Sequence, residues 1–436
     1  MEISKNQTAI LQDFAPHLRK FSTRSGIWVG FLLAVIVVGM YALYLQIVKG
    51  HIVTGMRDNV VWGLYIVNFI FFIGISYGGA ILAGLLHLFK VPWRRPIMRI
   101  AGLTAVVSAM IGPIFIILCI GRFDRLHYLF IHARLQSPIV WDVVAISTYF
   151  VGAVLFVYLF LIKDFAIYRD SEAVLGLPAW RQKLYRFLAL NYKDTASQRR
   201  QLAMSRNLMA LIMIPMVVVV SSVLSWIFGM TLRPGWHSTI FGPYFVLAAI
   251  YSGTGVIVLV MWTFRKIYHL QDYLTDKHFK YMGFILLALG SGYGYFTFSE
   301  YLTGWFGSER WDSEVLDKLF DPSEYGWWFL VSNIFTIVIP ILVMAFKKLR
   351  TPNLITLAAM LMVFGMWVKR YLIVVPTLET PLLPVQDTRP EYIHYSATWV
   401  EWALTFAGFA TFLLFFTLVA KLVTIVTVSD YNEEHQ

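Results

Sequence analysis

The chain has 436 residues, of which 58% are hydrophobic and only 14% are charged. Soluble globular proteins carry about 25% charged and about 45 to 50% apolar residues, so this composition excludes a water-soluble fold and indicates an integral membrane protein. Cys119 is the only cysteine, which excludes a disulfide framework and any zinc or iron–sulfur centre built from the chain's own thiolates. The net charge of +11 is interpreted as a determinant of membrane topology and not as a nucleic-acid surface.

Ten stretches are long and apolar enough to cross a bilayer, at about 20 residues for each crossing. They predict an all-α integral membrane protein with about ten transmembrane helices. The first stretch follows a polar lead and has no small-residue cleavage site, so we expect it to stay as a helix and not to act as a signal peptide. The stretches are 27–48, 61–88, 97–120, 139–162, 207–230, 239–263, 281–306, 326–346, 353–375 and 397–428.

The basic residues are distributed unevenly between the two sides of the predicted membrane domain. Of the 36 Lys and Arg residues, 25 fall on the side that holds both termini, and the positive-inside rule then places both termini in the cytoplasm. The loop at 307–325 lies on the other side and is rich in Asp and Glu. Its composition is compatible both with a solvated loop and with a docking surface.

A short pattern occurs near the start of both the second and the sixth stretch, 179 residues apart, at 62–65 (WGLY) and 241–244 (FGPY). A further glycine follows eleven residues after the glycine of each copy, at Gly74 and Gly253. Four stretches separate the copies, which predicts a parallel repeat. The predicted organisation is a cytoplasmic lead at 1–26, a flanking helix at 27–48, a first four-helix bundle at 55–230, a second at 231–376, and a segment at 377–436 with an outer loop, a flanking helix and a cytoplasmic tail.

The densest group of ionisable residues lies around the start of the fourth stretch. Asp142 and Tyr149 are seven residues apart, so they share one helical face at a separation of about 10 Å. An acid, an aromatic ring and nearby His or Arg side chains suit a quinone, because its ring needs an apolar slot and its two oxygens need hydrogen-bond and proton partners. In the alternative interpretation, Asp142 pairs with an arginine and Tyr149 only packs. The group comprises Arg122, Arg125, His127, His132, Asp142 and Tyr149.

Further ionisable residues lie near the same predicted surface, namely Glu300, Lys369, Arg370 and Glu401. Charged residues within a membrane domain normally face a bundle interior or a cavity. They therefore predict polar chemistry near the non-cytoplasmic surface, although mutual ion pairs would also account for them.

Several segments of the chain together resemble a known family, namely 62–65 (WGLY), 121–122 (GR), 137–149 (SPIVWDVVAISTY), Asp164 and 236–244 (WHSTIFGPY). On these segments the chain resembles the NrfD and polysulfide-reductase membrane-subunit family, and most closely the ten-helix quinol-oxidising membrane subunits of bacterial alternative complex III. The resemblance covers roughly residues 55–375.

This resemblance implies a subunit of a multi-subunit respiratory or photosynthetic oxidoreductase in the bacterial cytoplasmic membrane, active only within the complex. The implied cofactor is a quinone, expected to be menaquinone, with no haem or iron–sulfur cluster of the chain's own. Electrons would pass between the quinol and an iron–sulfur subunit docked on the non-cytoplasmic side. A homologous membrane subunit and cytochrome c subunits are further implied partners, in addition to the lipid bilayer and without nucleic acid.

The resemblance also implies roles for individual residues, with Asp142 as the proton acceptor and His127 and His132 as the other catalytic candidates. No metal site is expected. The implied quinone-binding residues are Trp62, Tyr65, Arg122, Trp141, Asp142 and Tyr149. The implied proton path, if protons are also translocated, comprises Asp164, His237, Tyr251, Glu300, Arg370 and Glu401.

Alternatives from other classes are a secondary transporter and a structural membrane anchor without quinone chemistry of its own. A transporter usually has paired broken helices at matching depths; Pro113, Pro215 and Pro340 are the positions where kinks are expected. A cytochrome b would need histidine pairs that face one another within the bilayer, and the ten stretches contain almost none away from their ends.

Overall fold

The computed structural model describes residues 5–19, 22–171, 175–231, 233–380 and 393–428. All regular structure within these ranges is helical, as the sequence predicts. The α-helices are α1 (Lys5–Arg19), α2 (Thr23–Lys49), α3 (Gly63–Leu88), α4 (Arg94–Ile120), α5 (Tyr128–Ile131), α6 (Pro138–Asp170), α7 (Ala179–Leu188), α8 (Ala196–Gly229), α9 (Phe241–Ile267), α10 (Asp276–Gly307), α11 (Arg310–Phe320), α12 (Gly326–Asn333), α13 (Ile339–Ala345), α14 (Pro352–Leu378) and α15 (Trp399–Leu422).

Nine helices in the described ranges are long and apolar enough to cross a membrane, where the sequence predicts about ten. The helix α10 is not among the nine. At 32 residues it is long enough to cross a bilayer, but its glycines and tyrosines make it less apolar than the other spans. The all-helical membrane fold is confirmed. The predicted tail at 429–436 lies outside the described residues.

The helix α3 is the centre of the molecule, since 94% of its most apolar window is buried. It packs against α4 and α8, which together with α6 form one group of helices. A second group consists of α9, α10, α12, α13 and α14. The two groups meet where α3 contacts α9 and α14, while α2 and α15 pair with each other beside α3 and α4.

The contact between α3 and α9 is a crossing of two backbones. A Cβ on Gly78 would lie 2.7 Å from the Ala249 carbonyl oxygen, and one on Gly253 would lie 2.7 Å from the Gly78 Cα. Small residues allow membrane helices to approach closely and gain dispersion energy. Gly78 and Gly253 therefore permit the close packing of α3 and α9.

A hydrogen bond links Tyr251 to the π-turn at Ile334–Val338, which lies just before Pro340. Pro340 has no N–H, so the Thr336 carbonyl four residues earlier lacks its intrahelical donor. The Tyr251 hydroxyl donates to this carbonyl at 2.8 Å. By contrast, α4 and α8 continue without interruption through Pro113 and Pro215.

We name the two ends of the molecule after residues near the two ends of α6, the Asp142 end and the Asp164 end. At the Asp164 end, Arg99 of α4 forms a buried ion pair with Asp164. Another nitrogen of Arg99 donates to the carbonyls of Thr424 and Val426 at 2.7 and 3.0 Å. This pair fastens the segment after α15 to α4 and α6.

Candidate functional site

The first turns of α6 carry the carboxylate that the sequence singles out. Pro138 occupies the first turn of the helix, where a missing N–H costs nothing. Asp142 follows one turn later, is half-buried, and has no hydrogen-bond or ion-pair partner among the described residues. The predicted pairing of Asp142 with an arginine is therefore not formed.

Tyr149 lies further along the same helix and is completely buried. Its hydroxyl shares a hydrogen bond of 2.6 Å with the Ser76 hydroxyl of α3. Ser76 also donates to the Ala105 carbonyl of α4 at 2.6 Å. These bonds fix the Tyr149 ring between three helices.

Tyr77 completes this group, although sequence reasoning missed it. Its ring meets the Tyr149 ring edge-on at a centroid distance of 4.9 Å. Its hydroxyl is buried and has no hydrogen-bond partner among the described residues. The signal in the sequence was a Ser-Tyr pair within a largely apolar span. We call Asp142, Tyr149 and Tyr77 the carboxylate site.

The segment between α4 and α6 lies at the surface of the Asp142 end. Arg122 donates to Asp124 at 3.1 Å, and both side chains are more than 60% exposed. The hydrogen bond from Arg122 lowers the pKa of the Asp124 carboxyl. His127 and His132 are exposed on either side of the Tyr128 ring, at centroid distances of 4.4 and 5.3 Å.

The same segment exposes large apolar side chains beside the carboxylate site. Phe130, Ile131 and Leu135 are each at least 68% exposed, and Trp141 is 37% exposed. Exposed apolar patches of this kind mark contacts with lipid or with another protein. We call residues 121–141 the surface segment.

Trp62 and Tyr65, both predicted to bind quinone, make well-defined contacts with other parts of the molecule. The Trp62 ring stacks on Trp236 at a centroid distance of 6.0 Å, which joins the two groups of helices. The Tyr65 hydroxyl donates to the Gln46 side chain at 2.6 Å, and Gln46 donates to the Leu118 carbonyl. Neither of these contacts involves Asp142 or Tyr149.

A cavity of about 190 Å³ lies at the Asp142 end between α9, α10, α11 and α14. Glu300 lines it and accepts hydrogen bonds of 2.7 and 2.8 Å from Ser238. His237, Glu309 and Asp312 form its rim, with one side-chain atom of each within 4.8 Å of the others. We call it the acidic cavity.

Two basic residues of α14 lie next to each other at or near the wall of this cavity. Lys369 is 2% exposed and contacts the hydroxyl and ring of Tyr301. Arg370 is 5% exposed and donates to the Met366 carbonyl at 3.0 Å and to Ser252 at 3.1 Å, whereas its Nε atom has no partner. Neither residue forms an ion pair, so the alternative of pairs with Glu300 or Glu401 is not observed in the part of the chain described.

Glu401 is completely buried and caps the start of α15. Its carboxylate accepts from the N–H groups of Gly55 and Thr398 at 2.7 and 3.0 Å and from the Tyr395 hydroxyl. Glu379, which the sequence did not single out, is a second buried carboxylate that accepts backbone and hydroxyl donors, and it follows directly after α14. It accepts from the Tyr395 N–H at 2.6 Å, and burial raises the pKa of its carboxyl.

A family model described as "Polysulphide reductase, NrfD" matches residues 52–381, about three quarters of the chain. The chain is 31% identical to the putative membrane subunit of the dimethyl sulfoxide reductase of Halobacterium salinarum, over 56% of this chain and 53% of that relative. It thus spans only about half the length of that relative.

Two further relatives align over almost their whole length. The chain is 23% identical to a subunit of the selenate reductase of Mesobacillus selenatarsenatis, over 92% of this chain and 94% of the relative. It is also 23% identical to the Hdr-like menaquinol oxidoreductase integral membrane subunit of Archaeoglobus fulgidus, over 91% and 92%. These relatives support the predicted family at its general level, and they are not alternative complex III subunits.

Proposed function

Because the chain belongs to the NrfD polysulphide reductase family, we propose that it is the quinol-binding membrane subunit of a multi-subunit oxidoreductase. The relatives carry names of reductase subunits, and one is named as a menaquinol oxidoreductase subunit. Menaquinol is therefore the substrate we propose. Electrons would leave this chain for a docked iron–sulfur subunit, since the chain has a single cysteine.

The observation that carries this proposal is the half-buried Asp142 carboxylate without a partner. A bound quinol supplies two electrons and two protons when it is oxidised. Asp142 is available to accept one proton, because no lysine, arginine or backbone donor among the described residues occupies its oxygens. The partly exposed Trp141 ring offers aromatic surface beside Asp142, and Ser76 holds Tyr149 in place further along the same helix. An apolar ring with polar edges fits this combination of groups.

We propose that the Asp142 end faces away from the cytoplasm, because the Lys and Arg residues concentrate at the Asp164 end. The surface segment then lies outside, where its apolar residues and Arg122, Arg125 and Arg134 offer a mixed apolar and basic surface. This surface is our candidate for the docking site of the iron–sulfur subunit. Docking there would bring the iron–sulfur cluster close to the bound quinol.

We also propose proton translocation, for which the contacts of the candidate residues give unequal support. Glu300 and His237 line or border an open cavity and can exchange protons with solvent. Asp164, Tyr251 and Glu401 are held in bonds that have structural reasons of their own. The closer resemblance to alternative complex III and the division into two parallel repeats also remain predictions.

Photolabelling tests the location of the site. The intact complex is illuminated with a photoreactive naphthoquinone and the labelled peptides are identified by mass spectrometry. We expect label within 135–149, and excess menaquinone should compete for it. Competed label confined to the lining of the acidic cavity, at 235–244 or 300–316, would move the site to the other group of helices and contradict the assignment to Asp142.

A further inference from the structure

A small cavity of about 20 Å³ lies at the junction of the two groups of helices. Its lining includes Tyr77 from α3, Tyr293 from α10, and Lys369 and Arg370 from α14. Two buried polar atoms of this lining, the Tyr77 hydroxyl and the Arg370 Nε, have no hydrogen-bond partner in the described part of the chain. These two side chains are 1% and 5% exposed.

The size and chemistry of this cavity match one water molecule. A water requires at least about 10 to 15 Å³ of accessible volume and typically about three polar partners. Arg370 Nε can only donate, whereas the Tyr77 hydroxyl can both donate and accept. A water that accepts from Arg370 would satisfy both orphaned atoms, and burying them without a partner would be costly.

Lys369 connects this small cavity to the acidic cavity, because its side chain lines both. Phe241, Tyr244 and Ile373 also line both, so the two cavities are neighbours. The carboxylate site therefore borders the small cavity at Tyr77, and the acidic cavity borders it at Lys369.

We propose that a water molecule bound between Tyr77 and Arg370 passes protons from the carboxylate site to the acidic cavity. This inference rests on the proposed function, because it supplies the exit for protons that Asp142 takes up. It adds Tyr77 and Lys369 to the residues of the mechanism. The resulting route crosses from one group of helices to the other.

Each transfer along the route moves one proton and no electrons. The protonated Asp142 carboxyl, which has no bond to hold it, turns to Tyr77 and gives its proton to the phenol oxygen while the phenol hydrogen passes to the water. The water passes a hydrogen to the amine form of Lys369. The resulting ammonium gives a proton to the Glu300 carboxylate, which releases it to solvent in the acidic cavity, and every group returns to its starting state.

Arg370 is a positioning residue in this route and does not itself carry protons. Its guanidinium stays protonated in proteins, and its bonds to Met366 and Ser252 fix the plane of the group. The Nε–H then holds the water oxygen in one orientation. Gly74 makes this possible, since a Cβ there would lie 2.8 Å from the Arg370 Nη2.

A double-mutant cycle in the intact complex tests the route. Tyr77→Phe keeps the ring against Tyr149 but removes the hydroxyl, and Lys369→Met removes the amine with little change in length. We expect each variant to lower quinol-dependent turnover at least about tenfold, with unchanged quinone affinity and a larger solvent deuterium isotope effect. The double variant should be no slower than the slower single variant, because both block one path. Tyr158→Phe, which removes a bond to the Leu188 carbonyl elsewhere on α6, is the control and should retain full turnover.

Normal turnover in assembled Tyr77→Phe complex, or losses that multiply in the double variant, would overturn the route. If Lys369→Met fails to assemble, Tyr77→Phe and a high-resolution map of the unaltered complex decide the question. The map should show density for a water between Tyr77 and Arg370, and a direct contact without water would reject the proposal. A slow Asp142→Asn complex together with a normal Tyr77→Phe complex would refute this route while leaving the quinol site intact.

Discussion

Three buried or half-buried carboxylates illustrate how local partners decide the role of a residue. Asp164 is paired with Arg99, and Glu401 is surrounded by backbone and hydroxyl donors. Asp142 has neither kind of partner among the described residues. Of the three, only Asp142 has lone pairs available to a substrate, whereas the other two already use theirs to hold the fold together.

Replacing Asp164 with Asn should therefore affect stability more than turnover. Breaking a buried ion pair by removing one partner typically costs about 3 to 5 kcal/mol, because an uncompensated charge remains buried. We expect a lower thermal unfolding temperature for the assembled complex and near-normal turnover per assembled complex. Asp276→Asn is the matched control, since Asp276 is 58% exposed in its pair with Arg265 and this pair should contribute at most about 1 kcal/mol. A normal unfolding temperature with lost turnover would instead support the predicted relay role.

At the residue scale, the sequence could predict what depends on helical spacing. Asp142 and Tyr149 share a face of α6 because they are seven residues apart, and the Tyr149 ring contacts the Tyr77 ring of α3. Tyr77 could not be predicted in the same way, because it comes from another helix and reaches the site through tertiary packing. Arg122 was predicted near Asp142, but its guanidinium pairs with Asp124, two residues along the chain. Pairs between residues this close in sequence form more readily than pairs between residues far apart in sequence.

At the scale of elements, apolar stretches predicted the helices but not their full lengths. The stretch at 207–230 falls in α8 except for its last residue, and α8 begins eleven residues earlier, at Ala196. Helices continue beyond the apolar region wherever caps and polar side chains support them, as Thr195 does for α8 by accepting from the Gln198 N–H. The proline in α13 was visible in the sequence, whereas the π-turn before it depends on packing against Tyr251.

The crossing of α3 and α9 gives a prediction at this scale. Gly78→Ala places a methyl group against backbone atoms that cannot rotate away, and overpacking of this kind costs about 1 to 3 kcal/mol. We expect a lower unfolding temperature of the detergent-solubilised protein, measured by calorimetry. Gly30→Ala in α2 is the matched control, because no atom lies within 4 Å of the position that its added methyl group would take. Equal unfolding temperatures for the two variants would show that the crossing is not a tight contact.

At the scale of the whole molecule, the distribution of basic residues predicts the topology. A reporter that is active only outside the cytoplasm should be silent when fused after Gln436 and active when inserted between Glu309 and Glu324. The reverse pattern would place the carboxylate site on the cytoplasmic side and remove the basis for docking a partner outside.

The chain as a whole should carry no redox centre that absorbs visible light. It has one cysteine, and a haem would require suitable axial ligands within the helices. We expect the isolated chain to show neither a Soret band nor iron–sulfur absorption, and the intact complex to show the centres of its partners. A stoichiometric haem retained after the partners are removed would favour a cytochrome.

Turnover of the Asp142→Asn complex tests the central claim most directly. The variant keeps the size of the side chain but removes the base, so quinol-dependent turnover should fall at least about tenfold, or about 1.4 kcal/mol of barrier. Assembly and reduction of the iron–sulfur partner by artificial donors should be unchanged. Glu324→Gln, at an exposed carboxylate of the same end, should retain full turnover. Normal quinol turnover in fully assembled Asp142→Asn complex would contradict the account.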